Sequence, residues 1–500
     1  MRSVELPGAG GPEPFPRVVL RPKVEVDDLW TIDGREPHDL AGCHAKRMPG
    51  SDRNDQFAQP ATALVLRSQS FDQRRVRTQR AVASSDVRGV WHHGSMSYPT
   101  RDATRRPTPS RHRPRAAGGP RRHVLCSRYR ACMRITSIEA YTYELGYRYG
   151  TYVMSGGRVV KTLTSTVVRI ATDEGIDGWA ETCPLGSTYL PAHARGAIPA
   201  MHELAPALIG ADPTNLGDVN RRMREALMGH NYAKSPLDVA CWDIYGKAVG
   251  RPVVDLIGGR LADDIPLYKA VPLGDAESMV AFTLEQRSHG IHHFQLKIGN
   301  DPRADARASL AVVEATNDDD LILADANGGW RRQDAVVAAR IMNGAERLYL
   351  EQPCPTLAEC LIVRRNTTLP FVLDEVITDV AALVEAAQAG GMEAINLKLN
   401  RVGGLTNAKL MRDIAVELGI RLTIEDSWGG DLTSAAVSHL GASTPPHALF
   451  AVSFMNDWTD NHLAGYQPRS IDGRGSAPTA AGLGVTVDAA VLGAPVAMWP

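Results

Sequence analysis

The spacing of hydrophobic and polar positions changes at residue 133. Upstream, residues 1–132 hold no sustained period of 3.6 or 2, and Arg, Pro, Ser and Gly dominate, as in Arg105-Arg-Pro-Thr-Pro-Ser-Arg-His-Arg-Pro-Arg115. Such a stretch buries too little apolar surface to offset its ordering entropy and is predicted to be disordered. From Met133 the pattern is that of a folded chain. Arg134-Ile-Thr-Ser-Ile-Glu-Ala-Tyr-Thr-Tyr143 and Thr166-Val-Val-Arg-Ile-Ala171 alternate as strands, the second running into an Asp-Glu-Gly turn at Asp173 to Gly175. A helix is predicted from Ser235, with Pro236 at its first position and Asp238 three residues after the cap. Leu237, Ala240, Cys241, Ile244 and Ala248 fall on one face of it, and Gly250 stops it. Strands followed by helices predict a small α+β domain over 133–255.

Downstream the pattern repeats. Short apolar strands each close on a polar residue and lead into a helical stretch. They are Phe294-Gln-Leu-Lys297, Leu321-Ile-Leu-Ala-Asp325, Leu348-Tyr-Leu-Glu351, Phe371-Val-Leu-Asp374, Ile395-Asn-Leu-Lys398 and Leu422-Thr-Ile-Glu425. Their last residues are spaced by 28, 26, 23, 24 and 27, each interval fitting one strand, one helix and two loops. With Pro266-Leu-Tyr-Lys-Ala270 and Phe450-Ala-Val-Ser-Phe454 as flanking strands, the prediction is an eight-stranded parallel barrel of the triosephosphate-isomerase type over 256–480.

Composition narrows the class. At 500 residues the chain suits two or three domains, and 44% hydrophobic with 22% charged residues is ordinary for a globular protein. No run of eighteen apolar residues suggests a membrane span, and the N-terminus lacks the apolar core of a secretory signal. Seven cysteines without a CxxC pair predict reduced thiols and a cytoplasmic location. The net charge of -1 conceals an asymmetry: residues 1–132 carry 24 Lys+Arg against 13 Asp+Glu, and the remainder 31 against 43. A basic arm admits nucleic-acid binding as an alternative of another class. The arm lies outside the patterned region, so the expectation is an extension without a folded role.

In a barrel of this kind, catalytic groups sit at the C-terminal ends of the strands. Here those ends read Lys297, Asp325, Glu351, Asp374, Lys398 and Glu425. One charged residue closing an apolar strand is explained by a strand meeting solvent; six in register are not, because burying a charge is costly unless it is paired or metal-bound. Asp325, Glu351 and Asp374, on consecutive strands, would converge on one cation, and hard oxygen ligands suit Mg²⁺ or Mn²⁺. Glu375 competes with Asp374, but strand alternation points the two side chains apart. Lys297 and Lys398 flank the carboxylates and would face each other across the barrel mouth. Beside a divalent cation and each other, their pKa values are expected to fall, which suits general-base work.

These residues resemble the enolase superfamily, in its muconate-lactonizing branch. The resemblance covers 133–500 and rests on Glu181-Thr-Cys-Pro-Leu-Gly-Ser-Thr-Tyr-Leu-Pro191, Gly229-His-Asn-Tyr-Ala-Lys234, Phe294-Gln-Leu-Lys-Ile-Gly299, Ala324-Asp-Ala-Asn327, Leu350-Glu-Gln-Pro-Cys354, Val372-Leu-Asp-Glu-Val376, Asn396-Leu-Lys-Leu399 and Ile424-Glu-Asp-Ser-Trp-Gly-Gly430. It implies a modified (β/α)7β barrel with an N-terminal α+β capping domain, and a segment, 481–500, that returns to the cap through Leu483-Gly-Val-Thr-Val487. Asp325, Glu351 and Asp374 would bind Mg²⁺ or Mn²⁺, with Lys297 and Lys398 as the acid/base pair. Tyr189 would lie on the loop that caps the substrate, Glu425 would meet a ring ammonium, and Gln295 and Asn327 would be further substrate contacts. Where many relatives carry Lys-x-Lys on the second strand, the first position here is Gln295. Within the superfamily the chain is similar to the cis-3-hydroxy-L-proline dehydratases and next to the hydroxyproline-betaine 2-epimerases. The implied activity is dehydration of cis-3-hydroxy-L-proline, with 2-epimerisation as the alternative. The implied partners are a small cyclic amino acid and further copies of the chain, with neither membrane nor nucleic acid.

Overall fold

The computed structural model describes residues 133–500. The extension 1–132, predicted to be disordered and weighed as a nucleic-acid arm, lies outside the described residues. Among the described residues no helix is long and apolar enough to cross a membrane.

The cap is built on an antiparallel sheet in the order Ala497–Trp499, Ile135–Gly146, Thr162–Thr172, Gly178–Thr182. Both predicted strands form, but their burial does not alternate: residues 138–141 on the first and 165–168 on the second are buried on both faces. The turn after Thr172 closes at Gly175, whose φ of 73° suits a residue without Cβ. Helices Ala194–Leu208, Leu216–Ala226 and Asn231–Val249 cover the sheet.

The last of these helices begins five residues earlier than predicted. His230 is its N-cap, and Pro236 sits inside it rather than at its first position. Asp238 makes no capping box. Its carboxylate accepts from Asn220 and Thr406 instead. The one-sided apolar pattern misled because the helix is buried on nearly every side from Tyr232 to Ile244. Its approach to the cap sheet is very close: a Cβ on Gly178 would stand 2.1 Å from the carbonyl oxygen of Ala240, so only glycine fits there. Gly250, at φ 69°, ends the helix as expected, its N–H donating back to Gly246.

The barrel strands are β1 (Tyr268–Val271), β2 (His293–Lys297), β3 (Leu321–Asp325), β4 (Leu348–Glu351), β5 (Phe371–Leu373), β6 (Ala394–Lys398), β7 (Arg421–Glu425) and β8 (Leu449–Val452). Each pairs in parallel with the next, and a parallel bridge from Leu267 to Val452 joins the first to the last. Seven helices connect them: α1 (Ala276–Ser288), α2 (Pro302–Ala315), α3 (Arg332–Met342), α4 (Leu357–Arg364), α5 (Val380–Gln388), α6 (Leu405–Glu417) and α7 (Asp431–Ala442). This is the expected (β/α)7β arrangement. The flanking strands begin slightly off their predicted positions, and Ile265–Pro266 pairs instead with Arg474–Gly475.

The return to the cap differs from expectation. Residues 483–487 form no strand; Ala497–Trp499 pairs with the first cap strand, Ile138 opposite Trp499. The segment near Leu483 is held by polar bonds, not by a ladder. The Leu483 N–H donates to buried Asp243 at 2.8 Å, and Asp243 also accepts from the Trp179 N–H. Cap and barrel are joined at the mouth by Glu181. The N-cap position of α7 is Gly430, which has no side chain to offer, and the Glu181 carboxylate takes the N–H groups of Gly430 and Thr433 at 2.9 Å each. A carboxylate at a helix N-terminus gains from both the hydrogen bonds and the helix dipole.

Candidate active site

The barrel register lays the charged strand ends side by side: Lys297 opposite Asp325, Asp325 opposite Glu351, and Lys398 opposite Glu425. Asp325, Glu351 and Asp374 are wholly buried, and the two lysines are each 5% exposed. Burial of this kind requires compensation. Lys297 is paired with Asp325. On the far flank, the Lys398 ammonium lies 2.6 Å from Asp374 and 3.5 Å from Glu425.

Glu351, between them, has no cation as a hydrogen-bond partner. Gln295 donates to both its oxygens at 2.9 and 3.0 Å, and Asn396 donates at 2.5 Å. Gln295 therefore faces a carboxylate. Asn327 donates from its backbone and its side chain to Asp325, at 2.8 Å each, and from its side chain to Glu375 at 3.1 Å. The Tyr189 hydroxyl, from the cap, donates to Glu375 at 2.5 Å and lies 3.3 Å from both Asp374 and Lys398. Glu425 receives the hydroxyl of Tyr268. Every residue predicted for the site is thus brought to one place at the barrel mouth.

One expectation is corrected. Asp374 and Glu375 do not point apart; both meet Tyr189. Strand β5 ends at Leu373, so the two-residue alternation no longer applies at 374 and 375. Without a cation, the lysine ammonium groups are held by the carboxylates. Burial pushes the Lys297 ammonium down, but Asp325, Tyr152 and Glu351 outweigh it and raise the net value. Lys398 is likewise raised, by Asp374, Tyr189 and Glu425 against burial. The reason is the pairing itself, since an adjacent carboxylate favours the charged form more than a like charge across the mouth opposes it. Glu351 goes the other way: burial, Asp325 and Asp374 hold its carboxyl well above the usual range.

Sequence reasoning missed Arg401, Asn396 and the role of Glu375. Arg401 is 7% exposed and donates to both the side chain and the carbonyl of Asp374, at 2.5 and 2.7 Å. It follows the strand end, where no periodicity marks it. Asn396 precedes Lys398 by two and so shares its face, a signal that was legible. Burial pushes the Glu375 carboxyl up to about 7, with Asp374 and Asp325 adding to it.

A narrow cavity of about 20 Å³ reaches the two lysines, walled by Tyr152, Tyr189, Tyr268, Trp428 and Trp458. Tyr189 also lines a larger cavity of about 450 Å³ shared with Glu375 and Arg401. Among the described residues no three His, Cys, Asp or Glu side chains are disposed as a finished metal cage; lysine ammonium groups lie on Asp325 and Asp374 instead. The donor set nevertheless fits a divalent cation. It offers three buried carboxylates with hard oxygens only, and burial first, with Asp325 and Asp374 after it, disfavours an ionised Glu351 that such a cation would stabilise.

Residues 138–258 match the mandelate racemase/muconate lactonizing enzyme N-terminal domain, and residues 278–491 match the enolase C-terminal domain-like family. The chain belongs to the enolase superfamily. It is 45% identical over 369 residues to the cis-3-hydroxy-L-proline dehydratase of Roseibium aggregatum, covering 73% of this chain and all of that protein. It is 28% identical over 314 residues to the N-succinyl-L-Arg/Lys racemase of Bacillus cereus, covering 62% of this chain and 85% of the racemase. Among solved structures, a superfamily member from Roseovarius nubinhibens ISM complexed with magnesium superposes with a TM-score of 0.70 at 36% identity, over 73% of this chain and 99% of that one.

Proposed function

We propose that this chain is a divalent-cation-dependent hydro-lyase that converts cis-3-hydroxy-L-proline to Δ1-pyrroline-2-carboxylate. The observation that carries the reading is the pair of buried lysines on β2 and β6, on opposite flanks of three buried carboxylates. Identity of 45% along the whole length of the Roseibium dehydratase supports the substrate. Asp325, Glu351 and Asp374 would hold Mg²⁺ or Mn²⁺. When bound, that cation supplies positive charge where negative charge develops on the substrate carboxylate as the α-proton leaves.

Lys297 takes the C2 proton, and Lys398 protonates the departing C3 hydroxyl. Loss of water leaves an enamine that tautomerises to the cyclic imine. Committing Asp325 to a cation removes the charge that keeps Lys297 protonated, freeing it to act as a base. The ring ammonium faces Glu425 and the aromatic wall of Tyr268, Trp428 and Trp458, surroundings that suit an organic cation. Gln295 and Asn396 orient Glu351, while Tyr189 closes the mouth from the cap.

A 2-epimerase would use the same lysines differently, Lys297 removing the proton and Lys398 returning one to the other face. The 28% identity to the Bacillus cereus racemase gives that reading its place. Proton NMR in D₂O with a panel of hydroxyprolines separates the two. Cis-3-hydroxy-L-proline is expected to lose its C2 and C3 signals as the imine forms. Inversion at C2 without loss of water would replace the dehydratase with the epimerase.

The extension is expected to be dispensable. Met133 is already buried, and the backbone bond from Ile135 N–H to Ala211 O ties the first cap strand in place. A chain beginning at Met133 should therefore fold and turn over at the rate of the full chain. Insoluble protein from that start, or loss of turnover, would refute this.

A further inference from the structure

A separate cavity of about 420 Å³ opens between the cap and the barrel, lined in part by Arg224, Lys234, Val380, Ala381 and Gly403. It contains neither catalytic lysine and none of the three strand-end carboxylates. Lys234 stands in the first turn of helix Asn231–Val249 and is 7% exposed. Burial first, and Arg224 second, push its ammonium below the ordinary lysine range, and no carboxylate counteracts them. Asp238 is spaced one helical turn on, where an ion pair is normally made. Its oxygens are turned away to Asn220 Nδ2 at 2.6 Å, Thr406 N–H at 2.9 Å and Thr406 Oγ1 at 2.6 Å.

A nearly buried ammonium without an anionic partner is costly, and here a second cation shares its wall. Arg224 lies in the last turn of Leu216–Ala226. The single carboxylate in the lining, Asp379, is the N-cap of α5, accepting from Ala382 N–H at 2.9 Å, and leaves the two cations in excess by one charge. The first-turn residues Val380 and Ala381 also stand at the cavity wall, beside that cap. Two cations, one of them nearly buried and neither in an ion pair among the described residues, converge on one open cavity with a single carboxylate, a combination that suits a bound oxyanion.

We propose that this cavity is an oxyanion site, taking a phosphate or carboxylate group between Lys234 and Arg224, beside the capped N-terminus of α5. It is distinct from the lysine–carboxylate site, and it stands whether or not the dehydratase reading does, because its test reads binding.

Isothermal titration of the full chain with inorganic phosphate, and separately with succinate, at fixed ionic strength in chloride tests the proposal. One saturable site per chain is expected, weakened at least tenfold in Lys234→Met and in Arg224→Gln, with turnover of cis-3-hydroxy-L-proline unchanged. Saturation by phosphate alone assigns a phosphate-bearing ligand; saturation by succinate assigns a carboxylate. Should Lys234→Met fail to fold by circular dichroism, Arg224→Gln, on an exposed helix end, carries the test alone. No saturable heat with either anion, or equal affinity in the variant and the parent, overturns the proposal.

Discussion

Lys398→Ala is expected to stop dehydration while still exchanging the C2 hydrogen of an L-proline analogue with D₂O; Lys297→Ala is expected to lose both. In cis-3-hydroxy-L-proline the carboxylate and hydroxyl share a ring face, so the C2 hydrogen lies on the face opposite the hydroxyl. Removal of the proton and loss of the hydroxyl therefore need groups on opposite faces, which lysines on β2 and β6 provide. A positioned acid or base contributes about 10²–10⁴-fold to rate, and that is the loss expected for dehydration in either variant. The asymmetry in exchange carries the role assignment. Lys398→Ala leaves Asp374 compensated, because Arg401 still donates to it at 2.5 Å, so the site keeps its charge balance and Lys297 its function. The readout is the C2 proton signal over time, with imine formation followed in the same sample. If Lys297→Ala keeps exchanging and Lys398→Ala does not, base and acid are interchanged.

Much of the barrel was readable because each strand–helix unit repeats the same physical requirement. A parallel strand buried on both faces is apolar along its length, and its C-terminal end is where polar groups gather. Six of the eight strands announced themselves by that signature, and their ends form the site. The errors fell where tertiary contacts override local pattern. Helix Asn231–Val249 is buried nearly all round, so its apolar face carried no information about its start, and Pro236 drew the boundary inward. The C-terminal return was placed at 483–487, whose Leu-Gly-Val-Thr-Val pattern suits a strand. Leu483 is held by Asp243, a side chain that no pattern in the sequence marks.

Within the site, what was legible was the strand-end chemistry, and what was not was the second layer that holds it. Gln295 and Asn396 share faces with Lys297 and Lys398 by the period of two, and both turn out to grip Glu351. Arg401 and Glu375 lie beyond strand ends in irregular backbone, where no period applies. Their importance comes only from meeting Asp374 and Tyr189 in space. The ion pairing of the lysines was out of reach for a related reason. Sequence shows that lysines and carboxylates share a barrel mouth, but not that each ammonium sits directly on a carboxylate.

Removal of divalent cations is expected to abolish turnover, with recovery on adding Mg²⁺ or Mn²⁺, and Asp325→Asn and Glu351→Gln should each weaken cation binding by about 100-fold or more. The two variants should part in their stability without cation. Asp325 is paired with Lys297, so neutralising it strands a buried ammonium and should lower the melting temperature of chelated protein. Glu351 is surrounded by amides and neighbouring carboxylates, and its carboxyl is held well above its ordinary pKa. A group whose folded pKa is raised contributes stability at low pH and loses it as pH rises, so above the ordinary carboxylate range the Glu351 carboxyl works against folding. Glu351→Gln removes that charge at constant shape, and Gln295 need only turn its amide to accept from the new one. Its melting temperature in chelator should therefore equal or exceed that of the parent, even as cation binding is lost. Calorimetric titration with Mn²⁺ and thermal unfolding in chelator, run on the same preparations, give both quantities. Full turnover after exhaustive chelation, or a Glu351→Gln protein that binds Mn²⁺ as tightly as the parent, would remove the three carboxylates from the proposed metal site.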